Sequence, residues 1–156
     1  MVLKIQWKTL FLSLLISMGT GGLSALLTRD GMQIYGELNK PPLSPPGWVF
    51  GVVWTILYFL MGISAYIVYT SHSSEREPAL RLYAAQLIVN FFWSIFFFNI
   101  RAYWFAFAWL VLLWVLLIAM IARFSKVEKW AGYLQIPYLL WVTFAGYLSF
   151  SVALLN

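Results

Sequence analysis

Two amide side chains, Gln86 and Asn90, lie within an otherwise apolar stretch of this sequence. They are four residues apart, so in a helix they share one face, which Trp93 and Phe97 continue. Amides in a membrane helix usually face the protein interior, because lipid cannot satisfy their hydrogen bonds. They could bond to another helix or contact a ligand. Their alignment with two aromatic rings favours a ligand site.

No apolar stretch is predicted to bury a carboxylate, lysine or histidine. The chain has no cysteine, which excludes disulfides, thiolate catalysis and cysteine-ligated metals. The single histidine, His72, lies in a polar break; we expect a solvated loop residue and no metal site. The carboxylates all fall in predicted loops: Asp30, Glu37, Glu75, Glu77 and Glu128. This distribution argues against a midplane carboxylate relay and against conventional acid–base or nucleophilic catalysis.

The apolar stretches therefore offer amides, hydroxyls and aromatic rings, which suit a cavity for a flat, apolar ligand. Rings would stack on the faces of the ligand, and Gln86 and Asn90 would orient its polar edge. The stretch IPYLLWVTFAGYLSF offers a second wall. Trp141 shares overlapping helical positions there with Phe144, Ala145 and Leu148, and the small residues leave room beside the ring.

The segment Lys40–Tyr58 combines two proline pairs with an aromatic helix. Its prolines are Pro41, Pro42, Pro45 and Pro46, and its rings include Trp48, Phe50, Trp54 and Tyr58. Because proline fixes its own φ and restricts the preceding residue, residues 40–45 are predicted to be stiff and extended. Pro46 is expected in the first turn of a helix, with Ser44 as a cap. This proline-rich stretch, residues 40–45, could cover a pocket or only end a loop.

Composition identifies a membrane protein. Of 156 residues, 63% are hydrophobic, 20% aromatic and 10% charged, with a mean hydropathy of +0.84. A soluble domain carries roughly 25% charged residues. Because a spanning helix needs about 20 apolar residues, the sequence predicts an all-α bundle of five transmembrane helices in one domain, residues 1–156. The predicted spans are about 7–27, 47–70, 80–99, 102–123 and 130–154.

The Lys and Arg residues cluster at the ends of the predicted spans, which indicates membrane topology and no nucleic-acid partner. One side receives seven of them: Lys4, Lys8, Arg76, Arg81, Arg123, Lys126 and Lys129. The other receives three: Arg29, Lys40 and Arg101. This bias predicts a cytoplasmic N-terminus if the protein lies in an inner membrane; a bacterial outer membrane stays an alternative.

The first span also carries small residues at four-residue spacing: Ser13, Ser17, Gly21 and Ala25. Such residues let helix backbones approach closely in lipid. The ladder either packs inside the bundle, which is the simpler interpretation, or forms a contact between two copies.

Three stretches together resemble the tryptophan-rich sensory protein/translocator protein (TspO/MBR) family, also called the peripheral benzodiazepine receptor family. They are KPPLSPPGWVFGVVWTILYFLMG, the Gln86/Asn90/Trp93 face and IPYLLWVTFAG. The resemblance implies a five-helix bundle, often dimeric, whose long first loop closes a cavity for porphyrins and synthetic benzodiazepine-type ligands. Carried over by motif, the cavity residues are Tyr35, Pro41, Pro42, Pro45, Trp54, Tyr58, Gln86, Asn90, Trp93, Phe97, Trp141, Phe144, Ala145 and Leu148.

The resemblance implies a bacterial, integral membrane protein that binds a porphyrin (protoporphyrin IX or haem) non-covalently and acts in its sensing, transport or stress-linked disposal. One alternative is light-dependent oxidative degradation of protoporphyrin IX, with Trp54 and Trp141 as redox relays. Another is a lipid or sterol carrier or assembly partner. Residues 148–154 lack the Tyr and Arg of the animal cholesterol motif, which argues against specific cholesterol binding.

Overall fold

A computed structural model describes residues 4–156, apart from the side chains of Met32 and Ile34. In this part of the chain all regular structure is helical. The helices are α1 (Trp7–Thr28), α2 (Gly31–Glu37), α3 (Gly47–Tyr69), α4 (Arg76–Ser94), α5 (Tyr103–Val127), α6 (Lys129–Tyr133) and α7 (Ile136–Leu155). A π-helical turn, Ile95–Asn99, continues α4. Five spans are long and apolar enough to cross a membrane, which confirms the predicted architecture.

The last three spans pack against one another through α5. α4 and α5 run antiparallel: Tyr83 lies near Phe124, and the Trp109 indole donates to the Val89 carbonyl at 2.7 Å. α5 in turn packs against α7. The fifth span is not one continuous helix, because α6 ends at Tyr133 and α7 begins anew with a proline in its first turn. A proline there loses no helical hydrogen bond.

α1 packs along α3 through small side chains. The Ser13 hydroxyl donates to the Gly62 carbonyl at 2.7 Å, Ser17 is fully buried, and Gly21 lies beside the Tyr58 ring. The small-residue ladder therefore faces the bundle over these positions, as the simpler interpretation held. The outward face of α1 exposes leucines and isoleucines, which suits contact with lipid.

The connection between α1 and α3 differs from the prediction. It contains helix α2, and the proline-rich stretch turns at Pro42–Leu43, where Leu43 has a φ of 72°. The Ser44 hydroxyl does not cap α3; it donates to the Pro41 carbonyl at 2.7 Å and closes this turn. α3 begins at Gly47, so Pro46 precedes its first turn. The chain can turn despite the stiff prolines because Leu43, whose φ is in the left-handed region, lies between the two proline pairs.

Two carboxylates that the sequence placed in loops belong to helices instead. Glu37 ends α2, and Glu77 lies in the first turn of α4, where it is 3.6 Å from Arg81. α4 begins before the apolar run does, because an acidic residue is favourable at a helix N-terminus. His72 is exposed in a loop, as expected.

Candidate functional site

A buried polar network joins the two amides to the last span. The Tyr138 hydroxyl donates to Gln86 Oε1 at 2.7 Å and accepts a hydrogen bond from Asn90 Nδ2 at 2.7 Å. All three residues are at most 1% exposed. The amides therefore bond between helices, the first of the two interpretations, and neither lines the two spaces described below. Gln86 Nε2 has no hydrogen-bond partner among the described residues. Tyr138 was not among the expected site residues; it follows Pro137 in the first turn of α7 and is buried.

An outer groove lies between α1 and the first half of α3, with a volume of about 440 Å³. Its lining comprises Met18, Gly21, Gly22, Ser24, Ala25, Thr28, Gly47, Trp48, Phe50, Gly51, Trp54, Thr55, Tyr58, Ser94 and Phe98. None of these side chains is charged. Small-molecule sites in proteins usually have volumes of about 300–1,000 Å³ with mostly apolar walls. Of the predicted site residues, Trp54 and Tyr58 lie here, with ring centres 5.6 Å apart.

An inner cavity of about 20 Å³ lies deeper in the bundle, beneath α2. It is lined by Tyr35, Ser44, Phe50, Trp93, Phe97, Phe98, Ala145, Leu148, Ser149 and Val152. Five of the predicted site residues therefore meet here: Tyr35, Trp93, Phe97, Ala145 and Leu148. The rings of Trp93 and Phe97 stack with centres 5.3 Å apart. This volume has room for about one water molecule.

Phe50 and Phe98 line both spaces, so they form the wall between the outer groove and the inner cavity. Phe98 belongs to the π-helical turn, a feature that often occurs at functional sites. Gly31, at the start of α2, packs so closely on Phe98 that a Cβ there would lie 2.6 Å from the Phe98 Cβ. Sequence reasoning missed both Phe98 and Gly31, since neither belongs to a motif.

Trp141 and Phe144 border this wall without lining either space. The Trp141 ring meets Phe50 edge-on with centres 5.7 Å apart, and Phe144 lies 5.5 Å from Trp141. Pro41, Pro42 and Pro45 also line neither space. They belong to the segment above the inner cavity.

We call residues 31–46 the lid segment, because α2 and the proline-rich turn cover the inner cavity. Tyr35 is a large buried side chain of this segment: its ring packs edge-on against Phe50 at 5.0 Å, and its hydroxyl donates to the Pro45 carbonyl at 3.0 Å. Burial raises the pKa of the Tyr35 hydroxyl above its ordinary value, although Ser44 partly offsets this rise. Tyr35 therefore stays a neutral donor at physiological pH.

Two hydrogen-bonded contacts fasten the lid segment to the end of α7. The Asn156 amide accepts from the Asn39 backbone N–H at 3.2 Å and donates to the Asn39 carbonyl at 2.9 Å. The Tyr147 hydroxyl donates to the Pro42 carbonyl at 2.8 Å. These contacts add to the apolar anchoring of the segment by Tyr35 and Leu38.

Changing Asn156 to alanine should loosen the lid segment. The variant loses both bonds to Asn39, and one exposed hydrogen bond contributes roughly 0.5–1.5 kcal/mol, so amide exchange at residues 38–44 should accelerate about three- to tenfold. Hydrogen–deuterium exchange in detergent measures this. Thr20→Ala is the control, since the Thr20 hydroxyl bonds only to Ile16 within α1. Equal exchange at the lid segment in both variants would contradict the fastening role.

Comparison with known proteins connects this geometry to a family. The family model described as TspO/MBR matches residues 9–155. The chain belongs to the TspO/MBR family. The resemblance seen in the three sequence stretches is thereby confirmed.

TspO/MBR relatives match along most of their length. The chain is 37% identical over 154 residues to a tryptophan-rich sensory protein of Cereibacter sphaeroides, covering 99% of this chain and 95% of the relative. It is 36% identical to the tryptophan-rich protein TspO of Chlorobaculum tepidum, with 98% of each chain covered. It is also 37% identical over 142 residues to the translocator protein of Bos taurus, covering 88% and 83% of the two chains. With its five spans, this TspO/MBR protein is an integral membrane protein.

Proposed function

We propose that this protein binds a tetrapyrrole such as protoporphyrin IX or haem in the outer groove and acts in its sensing, transport or stress-linked disposal. One observation supports this most directly: an uncharged groove of about 440 Å³, with aromatic rings along α3, opens between α1 and α3. A flat, apolar molecule gains most from such a surface, because rings stack on its faces and glycines leave the opposite wall flat.

Trp54 is the central residue of the proposal. Its ring lies 5.6 Å from Tyr58 in the groove and 6.0 Å, edge-on, from Tyr138 in the polar network. The network joins α4 and α7 behind this ring. A stacked ligand would therefore meet a wall that is already ordered, which lowers the entropy lost on binding.

The division of the expected residues between two spaces fits the same proposal. The wall of Phe50 and Phe98 is made of two side chains, and rotation of either ring would connect the outer groove with the inner cavity. A ligand larger than the groove would then also contact Tyr35, Trp93 and Ala145. On this view the structure corresponds to a contracted form of one site.

We also propose that the N-terminus faces the cytoplasm. The Gln6 N–H donates to the Tyr66 hydroxyl at 2.8 Å, and Arg123 pairs with Glu75 at 2.8 Å. These contacts group the start of α1 with the end of α3, and the start of α4 with the end of α5. The more basic side of the bundle would lie in the cytoplasm of an inner membrane.

Titration of the detergent-purified protein with protoporphyrin IX in the dark tests the binding proposal. We expect saturable quenching of tryptophan fluorescence with a shift of the porphyrin band. Trp54→Phe should weaken binding roughly two- to tenfold, because an aromatic contact contributes about 0.5–1.5 kcal/mol. Trp141→Phe should weaken it less, since Trp141 acts by supporting Phe50.

Trp130→Phe is the control variant, because Trp130 is exposed at the opposite end of the bundle. The contrary result is quenching that is linear, non-saturating and equal in the wild type and in the Trp54 and Trp141 variants. That result would mean that the porphyrin only partitions into detergent. A lipid carrier or an assembly partner would then be the better interpretation.

A further inference from the structure

Four side chains with polar atoms line the inner cavity, and two of them lack partners. The Tyr35 hydroxyl donates to the Pro45 carbonyl, and the Ser44 hydroxyl donates to the Pro41 carbonyl. In contrast, neither Trp93 Nε1 nor Ser149 Oγ has a hydrogen-bond partner among the described residues. Half of the polar side chains around this cavity therefore hold an unused donor.

Both unpaired groups are deeply buried, Trp93 at 5% and Ser149 at 1% exposure. Buried N–H and O–H groups in native proteins are almost always paired, and a buried indole N–H usually has an acceptor. A helical hydroxyl commonly bonds to the carbonyl four residues earlier, as Thr143 does to Leu139 at 2.8 Å on the same helix. Ser149 does not use this option, so its hydroxyl stays available to a third group.

We propose that Trp93 Nε1 and Ser149 Oγ form a donor site for a neutral oxygen acceptor of the bound tetrapyrrole, namely the carbonyl of a protonated propionic acid arm or of its ester. This inference rests on the proposed function and adds which part of the ligand the inner cavity recognises. The acceptor is neutral because no lining residue is cationic, and an unpaired carboxylate buried in such a place is strongly disfavoured.

The ligand reaches this donor site from the outer groove. Neither donor atom is accessible to solvent in this structure, so the cavity must widen before an acceptor enters. The wall of Phe50 and Phe98 separates the two spaces, and the small Ala145 leaves room beyond it. The flat body of the ligand stays in the groove, while one carbonyl-bearing arm passes this wall and ends between Trp93 and Ser149.

Two porphyrins that differ in their oxygen atoms test the site. Mesoporphyrin IX dimethyl ester carries ester carbonyls, whereas etioporphyrin carries only alkyl groups. The wild type should bind the ester more tightly, and Ser149→Ala should weaken ester binding roughly three- to tenfold while leaving etioporphyrin binding unchanged. Ser151→Ala is the matched control, since Ser151 is on the same helix and lines neither space.

Two readouts separate this role from a structural one. Removing an unpaired buried hydroxyl should leave the melting temperature of the ligand-free Ser149→Ala protein unchanged or raise it. In the wild-type complex, the infrared band of one ester carbonyl should shift to lower wavenumber, and this shift should disappear in Ser149→Ala. Trp93→Phe, which removes the indole N–H, should reduce the preference for the ester in the same way.

The outcomes distinguish the two proposals. Saturable binding of both porphyrins with equal effects of Ser149→Ala on each would overturn the donor site and leave the tetrapyrrole proposal intact. A lower melting temperature of Ser149→Ala, together with an unshifted ester band in the wild type, would assign the hydroxyl to folding and also overturn the donor site. Failure of both porphyrins to saturate the wild type would overturn both proposals.

Discussion

Changing Tyr138 to phenylalanine should lower the free energy of unfolding by about 2–4 kcal/mol. The variant keeps the ring but loses the hydroxyl that bonds to both Gln86 and Asn90. Each amide would then be left with an unpaired atom in the bundle interior, and an unmet buried polar group costs about 1–3 kcal/mol. Thermal or denaturant unfolding in detergent, followed by circular dichroism, measures the change.

Tyr133→Phe is the control for this experiment, because Tyr133 is an exposed tyrosine near the same end of the fifth span. It should change stability by less than about 0.5 kcal/mol. If Tyr138→Phe were as stable as Tyr133→Phe, the network would not contribute to holding α7 on α4. The amides would then be free to serve a ligand, as the second interpretation of the sequence held.

Changing Gly62 to alanine should destabilise the contact between α1 and α3 by about 1–3 kcal/mol. An added Cβ would lie 2.7 Å from the Ser17 Oγ and 3.0 Å from the Leu14 Cα, so the two backbones must separate. Separation would also lengthen the bond from Ser13 to the Gly62 carbonyl. Because α1 forms one wall of the outer groove, protoporphyrin binding should weaken together with stability.

Gly19→Ala is the matched control on α1, since a Cβ at Gly19 meets no atom within 4 Å. This variant should be neutral or stabilised by up to about 1 kcal/mol through the higher helix propensity of alanine. Indistinguishable unfolding curves for the two variants would show that α1 and α3 do not pack as closely as the structure has them.

Much of the architecture is determined by the sequence because the bilayer leaves few choices. A stretch of about 20 apolar residues must form a helix in lipid, so the number of spans and their approximate bounds follow from composition. The inward direction of Gln86 and Asn90 follows from the same rule. The ladder through Ser13 and Ser17 likewise identifies the face of α1 that packs closely.

The partners of these faces depend on contacts between distant segments. Tyr138 is 48 residues from Asn90, and its hydroxyl bonds to both amides that the sequence favoured as ligand contacts. The lid segment is fastened by the bonds from Asn39 to Asn156, 117 residues away. The bonds from Asn90 to Tyr138 and from Asn39 to Asn156 each join distant segments, so no pattern within one segment predicts them.

The amino-acid sequence alone predicts a five-span membrane protein with an aromatic interior and inward-facing amides. The packing of the helices places Trp54 in an outer groove and Tyr35 and Trp93 in an inner cavity, with Phe50 and Phe98 between them. Helical periodicity determines which residues share a face. Which face meets which neighbour, and how large a space stays between them, is set by the packing of all helices together.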